Sequence, residues 1–190
     1  MSGRNNNLII SLSQFLFILT LLVVAPLQVT ASEQNMSFSS YRLNAGDLIS
    51  IKVFDEDDLH LEARLTDAGT ISYPFLGEIQ VRGRTVGELE QVVTTGLKGD
   101  YLINPRVNVT IVEYRKFFVR GEVKSPGGFS FEPGLTLEKA IALAGGFSQR
   151  ANKKDVKVTR EVSGTKREQS IAIDSPVYPG DIINVEESFF

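Results

Sequence analysis

Few residues in this chain of 190 have side chains suited to bond-making chemistry. There is one histidine, His60, and no cysteine. That excludes a histidine cluster, a thiol nucleophile, a disulfide framework and a cysteine-based metal site. His60 follows the acidic run Asp55-Glu56-Asp57-Asp58. The run lacks the ligand spacing and the glycine of a calcium loop, so it reads as a solvated loop and His60 as a surface residue. The pairs Gly127-Gly128 and Gly145-Gly146 are not followed by Gly-Lys-Ser/Thr. They are turn and cap chemistry, not a phosphate loop. No set of side chains forms an acid–base or nucleophilic constellation, so the expectation is a protein that is not an enzyme, with no cofactor and no metal.

Charge carries more information. The net charge of −3 gives no drive toward nucleic acid, and none is expected as a partner. Locally the balance is uneven. Asp47 to Glu62 holds six acids and one lysine, whereas Gln149 to Arg167 holds seven bases and two acids. Either face could simply be solvated. Alternatively, the acidic face of one copy meets the basic face of the next, which predicts an oligomer interface built from Asp55, Asp57, Asp58, Lys153, Lys154 and Lys157. The basic stretch could also meet an anionic polymer.

The elements that must position these groups are legible. Leu48 to Phe54 reads as a strand, as do Thr70 to Pro74, Leu76 to Val81 and Val107 to Ile111. Thr85 with Glu88 three residues on forms a capping box, followed by Val86, Leu89, Val93 and Leu97 at helical spacing. A second segment repeats the order: strand Phe117 to Val123, a turn at Ser125 to Gly128, strand Phe129 to Phe131, and a helix from Thr136 with Leu137, Ala140, Ile141 and Ala144 inward. Strands at Asp155 to Arg160, Gln169 to Ile173 and Ile182 to Val185 complete it. One helix among these strands is the arrangement of a β-grasp module. Gly46-Asp47 and Gly180-Asp181 head two similar runs, and both read as turn-makers. Ahead of all this, Arg4, an uncharged run from Leu8 to Val24, and Val29-Thr30-Ala31 predict a signal peptide cleaved after residue 31, the rival being an uncleaved anchor.

These residues resemble the outer-membrane polysaccharide export proteins of Gram-negative bacteria. The likeness runs through Tyr41 to Asp47, Asp67 to Gly77, Val81 to Thr85 and Asn104 to Val109 for an export-protein domain. Val119 to Gly127, Leu135 to Leu137 and Ala140 to Phe147 resemble the family's soluble-ligand-binding β-grasp domain. Ala68 stands where the family has Asp before Gly, a change of turn detail. The resemblance implies an α+β fold of two small modules, 40–112 and 115–187, after a signal peptide at 1–31 and a linker at 32–39. It also implies polysaccharide export across the periplasm and outer membrane. Without a cysteine for a lipid anchor, with one β-grasp module and an end at Phe190, the expectation is a ring-forming periplasmic component near the outer membrane. Its implied partners are polysaccharide, further copies of itself, an inner-membrane co-polymerase and a separate outer-membrane pore. The alternative is a monomeric periplasmic binding module for a sugar or another exported polymer. Tyr73 and Phe75 are the candidate sugar-stacking residues, with Arg82 and Arg84 for charged sugars.

Overall fold

Two runs of alternating apolar residues each need a helix to cover them, and the chain supplies one helix to each. The computed structural model describes residues 40–162 and 164–188, which belong to one compact unit. The expected signal peptide and linker lie outside the described residues. Two sheet-rich modules result, an α+β architecture in agreement with the sequence reading.

In the first module the strands are β1 Leu48–Val53, β2 Glu56–Arg64, β3 Thr70–Tyr73, β4 Gly77–Gln80 and β5 Val107–Glu113. β1 lies between β2 and β5, antiparallel to both, and β3 and β4 form a separate hairpin. Helix α1, Val86–Leu97, buries Leu89, Val93 and Leu97 against Ile49, Ile51 and Val109 of the sheet. Its capping box is formed as the spacing predicts: the Glu88 amide donates to Thr85 Oγ1 at 3.2 Å and the Thr85 amide donates to Glu88 Oε2 at 2.8 Å. Replacing Thr85 by Ala should cost about 1 kcal/mol, read as a lower urea midpoint with an unchanged slope.

The acidic run corrects the reading from sequence. It is not a loop. Asp55 takes φ +65° in a tight turn, and Glu56 to Asp58 already belong to β2. Leu59 faces inward while Asp57, Asp58 and His60 face solvent, so His60 is the surface residue expected. Among the described residues no group of three metal-ligating side chains converges.

The second module has β6 Phe117–Gly121, β7 Gly127–Phe129, β8 Ala151–Val162, β9 Thr165–Ile171 and β10 Ile182–Glu187, in the order β7-β6-β10-β8-β9. β6 and β10 are parallel and every other pair is antiparallel. Helix α2, Leu137–Leu143, buries Leu137, Ala140 and Ile141 against Phe117, Val119, Val158 and Ile183. The hairpin return begins two residues before the expected Phe129. Tyr114 ties the modules together: its ring meets Tyr41 edge-on at 5.0 Å and Phe131 edge-on at 5.4 Å, one from each core.

Candidate functional site

Two surfaces bring chemistry-bearing groups together. The first is an aromatic shelf on the first module. Strand β3 points Ile71 and Tyr73 inward, as a period of two requires. Tyr73 is 2% exposed and its hydroxyl donates to the Leu59 carbonyl at 2.8 Å. That ring has no face to offer, so the stacking expectation fails for Tyr73: it is a core residue with a satisfied polar tip. Phe75 would fall on the same inward row if the strand continued. Instead it adopts φ +63°, which swings the ring out to 64% exposure. A non-glycine residue in this region is strained by about 1 kcal/mol or more. The exposed ring lies 4.9 Å from that of Tyr101, whose hydroxyl donates to the Phe75 carbonyl at 3.4 Å. Ile103 stands beside Tyr101 almost fully exposed. A cavity of about 670 Å³ runs from Tyr101 and Ile103 to Phe54, which is itself exposed and carries the Arg106 guanidinium 5.1 Å above its ring.

The second surface is a cleft of about 440 Å³ where the two modules meet. It is lined by Arg42, Arg82, Arg115 and Arg160 against one carboxylate, Glu161. Behind it the two Gly-Asp turns prove structural. Asp47 is fully buried and accepts from the Tyr41 hydroxyl at 2.8 Å, the Asn44 amide at 2.8 Å and the Arg115 amide at 2.8 Å. The Arg115 guanidinium approaches Asp47 to 3.5 Å. Burial, and then the Asp47 charge, push the Tyr41 phenol well above its ordinary range, so it stays protonated and can donate. Asp181 repeats the device. It accepts from Arg160 Nε at 2.9 Å, from Arg160 Nη2 at 2.7 Å and from the Tyr178 amide at 2.9 Å. The Arg160 guanidinium also lies 4.0 Å over the Tyr178 ring.

Of the other predicted residues, Arg82 reaches this cleft, where Nη2 donates to the Asp67 carbonyl at 2.7 Å. Arg84 donates from Nε to the Gln80 carbonyl at 2.8 Å and does not line the cleft. Asp55 pairs with Arg106 at 3.3 Å, and Lys157 with Glu186 at 2.7 Å, which raises the lysine's proton affinity. Asp57, Asp58, Lys153 and Lys154 remain exposed. The sequence reading missed Tyr101, Phe54, Arg42 and Arg115 as site residues, and met Arg160 only within the basic stretch that could contact an anionic polymer. Only the aromatic in the loop before Pro105 carried a local signal.

Residues 36–112 match the family described as polysaccharide biosynthesis/export protein, and residues 116–173 match the SLBB domain. The chain is similar to the exopolysaccharide production protein ExoF of Rhizobium meliloti (strain 1021), 33% identical over 89 residues, covering 45% of this chain and 21% of that protein. It is also similar to the EPS I polysaccharide export outer membrane protein EpsA of Ralstonia nicotianae, 28% identical over 154 residues, 64% of this chain and 40% of the relative. The polysialic acid transport protein KpsD of Escherichia coli is 27% identical over 123 residues, 63% of this chain and 22% of the relative. The chain thus spans 40% or less of the length of these relatives. Among the described residues no helix is long and apolar enough to cross a membrane.

Proposed function

Because this chain belongs to the polysaccharide biosynthesis/export protein family, we propose that it is a non-enzymatic component that conducts a polysaccharide across the periplasm and outer membrane. The observation that carries this reading is the joining of an export-family segment to an SLBB segment in one compact unit. The proposed division is a signal peptide at 1–31, an export module at 40–112 and a β-grasp module at 115–187. The protein would act at the periplasmic face of the outer membrane as a ring of copies, together with an inner-membrane co-polymerase and a separate outer-membrane pore.

The aromatic shelf suits this role. Phe75 and Tyr101 offer flat apolar area to the C–H faces of a pyranose ring, and a polymer in transit needs weak, repeatable contacts of that kind. Deleting the gene should abolish secreted polymer while the cells retain it, and the wild-type gene should restore secretion. Unchanged secretion would sink the proposal.

Assembly is tested separately. Asp55 and Lys157 already have partners within the chain, so the head-to-tail contact narrows to Asp57 and Asp58 against Lys153 and Lys154. Light scattering of the exported protein should give a mass of several copies, and Lys153→Glu with Lys154→Glu should lower it. A mass of one copy, alone and with its membrane partners, would instead favour the monomeric binding module.

Phe75 allows a further check. Phe75→Gly removes the ring and relieves the backbone strain at once. The relieved strain is offset by the freedom glycine gives the unfolded chain, so stability should stay within about 1 kcal/mol of wild type while secretion falls. A loss well beyond that would show that the ring serves packing instead of contact with the polymer.

A further inference from the structure

We propose that the cleft between the two modules binds carboxylate-bearing sugar residues. This rests on the export reading above and deepens it, by naming the polymer as an acidic one. Arginine suits this ligand because its planar fork matches the two oxygens of a carboxylate.

What distinguishes this cleft from an ordinary basic surface is that its arginines are held in place. The stem of Arg82 lies on the bare backbone of Gly69, so close that a Cβ there would stand 2.4 Å from Arg82 Cβ. The head of Arg82 is tied to the Asp67 carbonyl at 2.7 Å. Arg115 is seated in the same manner on the Gly180 turn, where a Cβ would come within 2.6 Å of its Nε, and its head is held by Tyr41 and Asp47. Arg160 is fixed by two hydrogen bonds to the buried Asp181 and by the ring of Tyr178. Arg42 anchors one nitrogen on the Gly83 carbonyl at 2.6 Å, and the same nitrogen pairs with the exposed Glu88 carboxylate at 3.5 Å.

Immobilising a long flexible side chain is a cost that a ligand ordinarily meets on binding. Here folding has met it already, for guanidinium groups gathered around one cavity. The two buried carboxylates sit behind Arg115 and Arg160 and orient them, and Arg82 has no carboxylate partner among the described residues. A volume of about 440 Å³ has room for a sugar unit or two of a passing chain.

The test uses the full chain, purified as exported, with hexagalacturonate as the acidic probe and maltohexaose as the neutral one, followed by calorimetric titration. Hexagalacturonate should bind, with affinity falling as salt is added. Arg82→Gln and Arg42→Gln should each weaken it about tenfold, the loss of one charge-assisted hydrogen bond. Arg42 is largely exposed, so its variant keeps the test open if Arg82→Gln disturbs the fold. Maltohexaose binding should not respond to either change. No binding of hexagalacturonate, binding unaffected by both variants, or equal competition by inorganic phosphate would overturn the assignment. If deletion of the gene blocks secretion but hexagalacturonate does not bind, the export reading stands and this inference alone fails.

Discussion

Asp47→Ala should unfold this protein more readily than any other single truncation at the module junction. The carboxylate is fully buried and satisfies the Tyr41 hydroxyl, the Asn44 amide, the Arg115 amide and the Arg115 guanidinium. Removing it leaves a partly buried cation and several donors with no acceptor. Breaking a buried pair in this way costs about 3–5 kcal/mol, a large share of the 5–15 kcal/mol that holds an ordinary domain together. Urea unfolding should show the loss directly, and Asp181→Ala should behave in the same direction through Arg160 and Tyr178. A loss below about 1 kcal/mol for Asp47→Ala would mean that water replaces the carboxylate and that the turn holds without it.

Gly121→Ala is the second severe case. Gly121 sits at φ +85°, and a Cβ there would stand 2.0 Å from the Val185 carbonyl oxygen. That oxygen is backbone in the parallel partner strand β10, and it also accepts from the Glu122 amide at 2.8 Å. Neither group can rotate away, so β6 and β10 must separate at the centre of the second sheet. The expected cost is about 4 kcal/mol or more, seen as a sharp drop in melting temperature or loss of folded protein. Gly87→Ala is the contrasting control. Gly87 lies in α1 with nothing within 4 Å of the added carbon, so the change should stabilise by up to about 1 kcal/mol.

These examples show which parts of the molecule were legible in the chain and which were not. Both helices could be read because their signals are local: Thr85 and Thr136 cap, and the apolar residues behind them recur at three and four positions. β2 was hidden although its alternation of Leu59, Leu61 and Ala63 is regular, because four consecutive acids at its start look like a solvated loop. Tyr73 and Phe75 share a parity, so an extended chain would put both on one face. Only the positive φ of Phe75 separates them, one ring into the core and one onto the shelf.

The Gly-Asp turns could be recognised as turns, but not their partners. Arg115 reaches Asp47 across 68 residues, and no spacing rule joins them. The arginine cleft is likewise assembled from distant segments, so of its four arginines Arg82 was named as a sugar contact and Arg160 only as part of a basic stretch.

The seat of Arg115 also has a consequence for the order of events during synthesis. One of its two glycine turns, at Gly46, where an added Cβ would touch Arg115 Cβ at 3.4 Å, lies upstream in the first module, and the other, at Gly180, lies about 65 residues downstream, close to β10. Local hairpins and helices form in microseconds, whereas contacts that close long loops form late. The first module can therefore bury its own core while the arginine cluster is still unmade. Completion of the cleft waits for the Gly180 turn to arrive, so a half-emerged chain lacks the finished site. The joint is therefore complete only in a molecule that has folded to its second module's last strand.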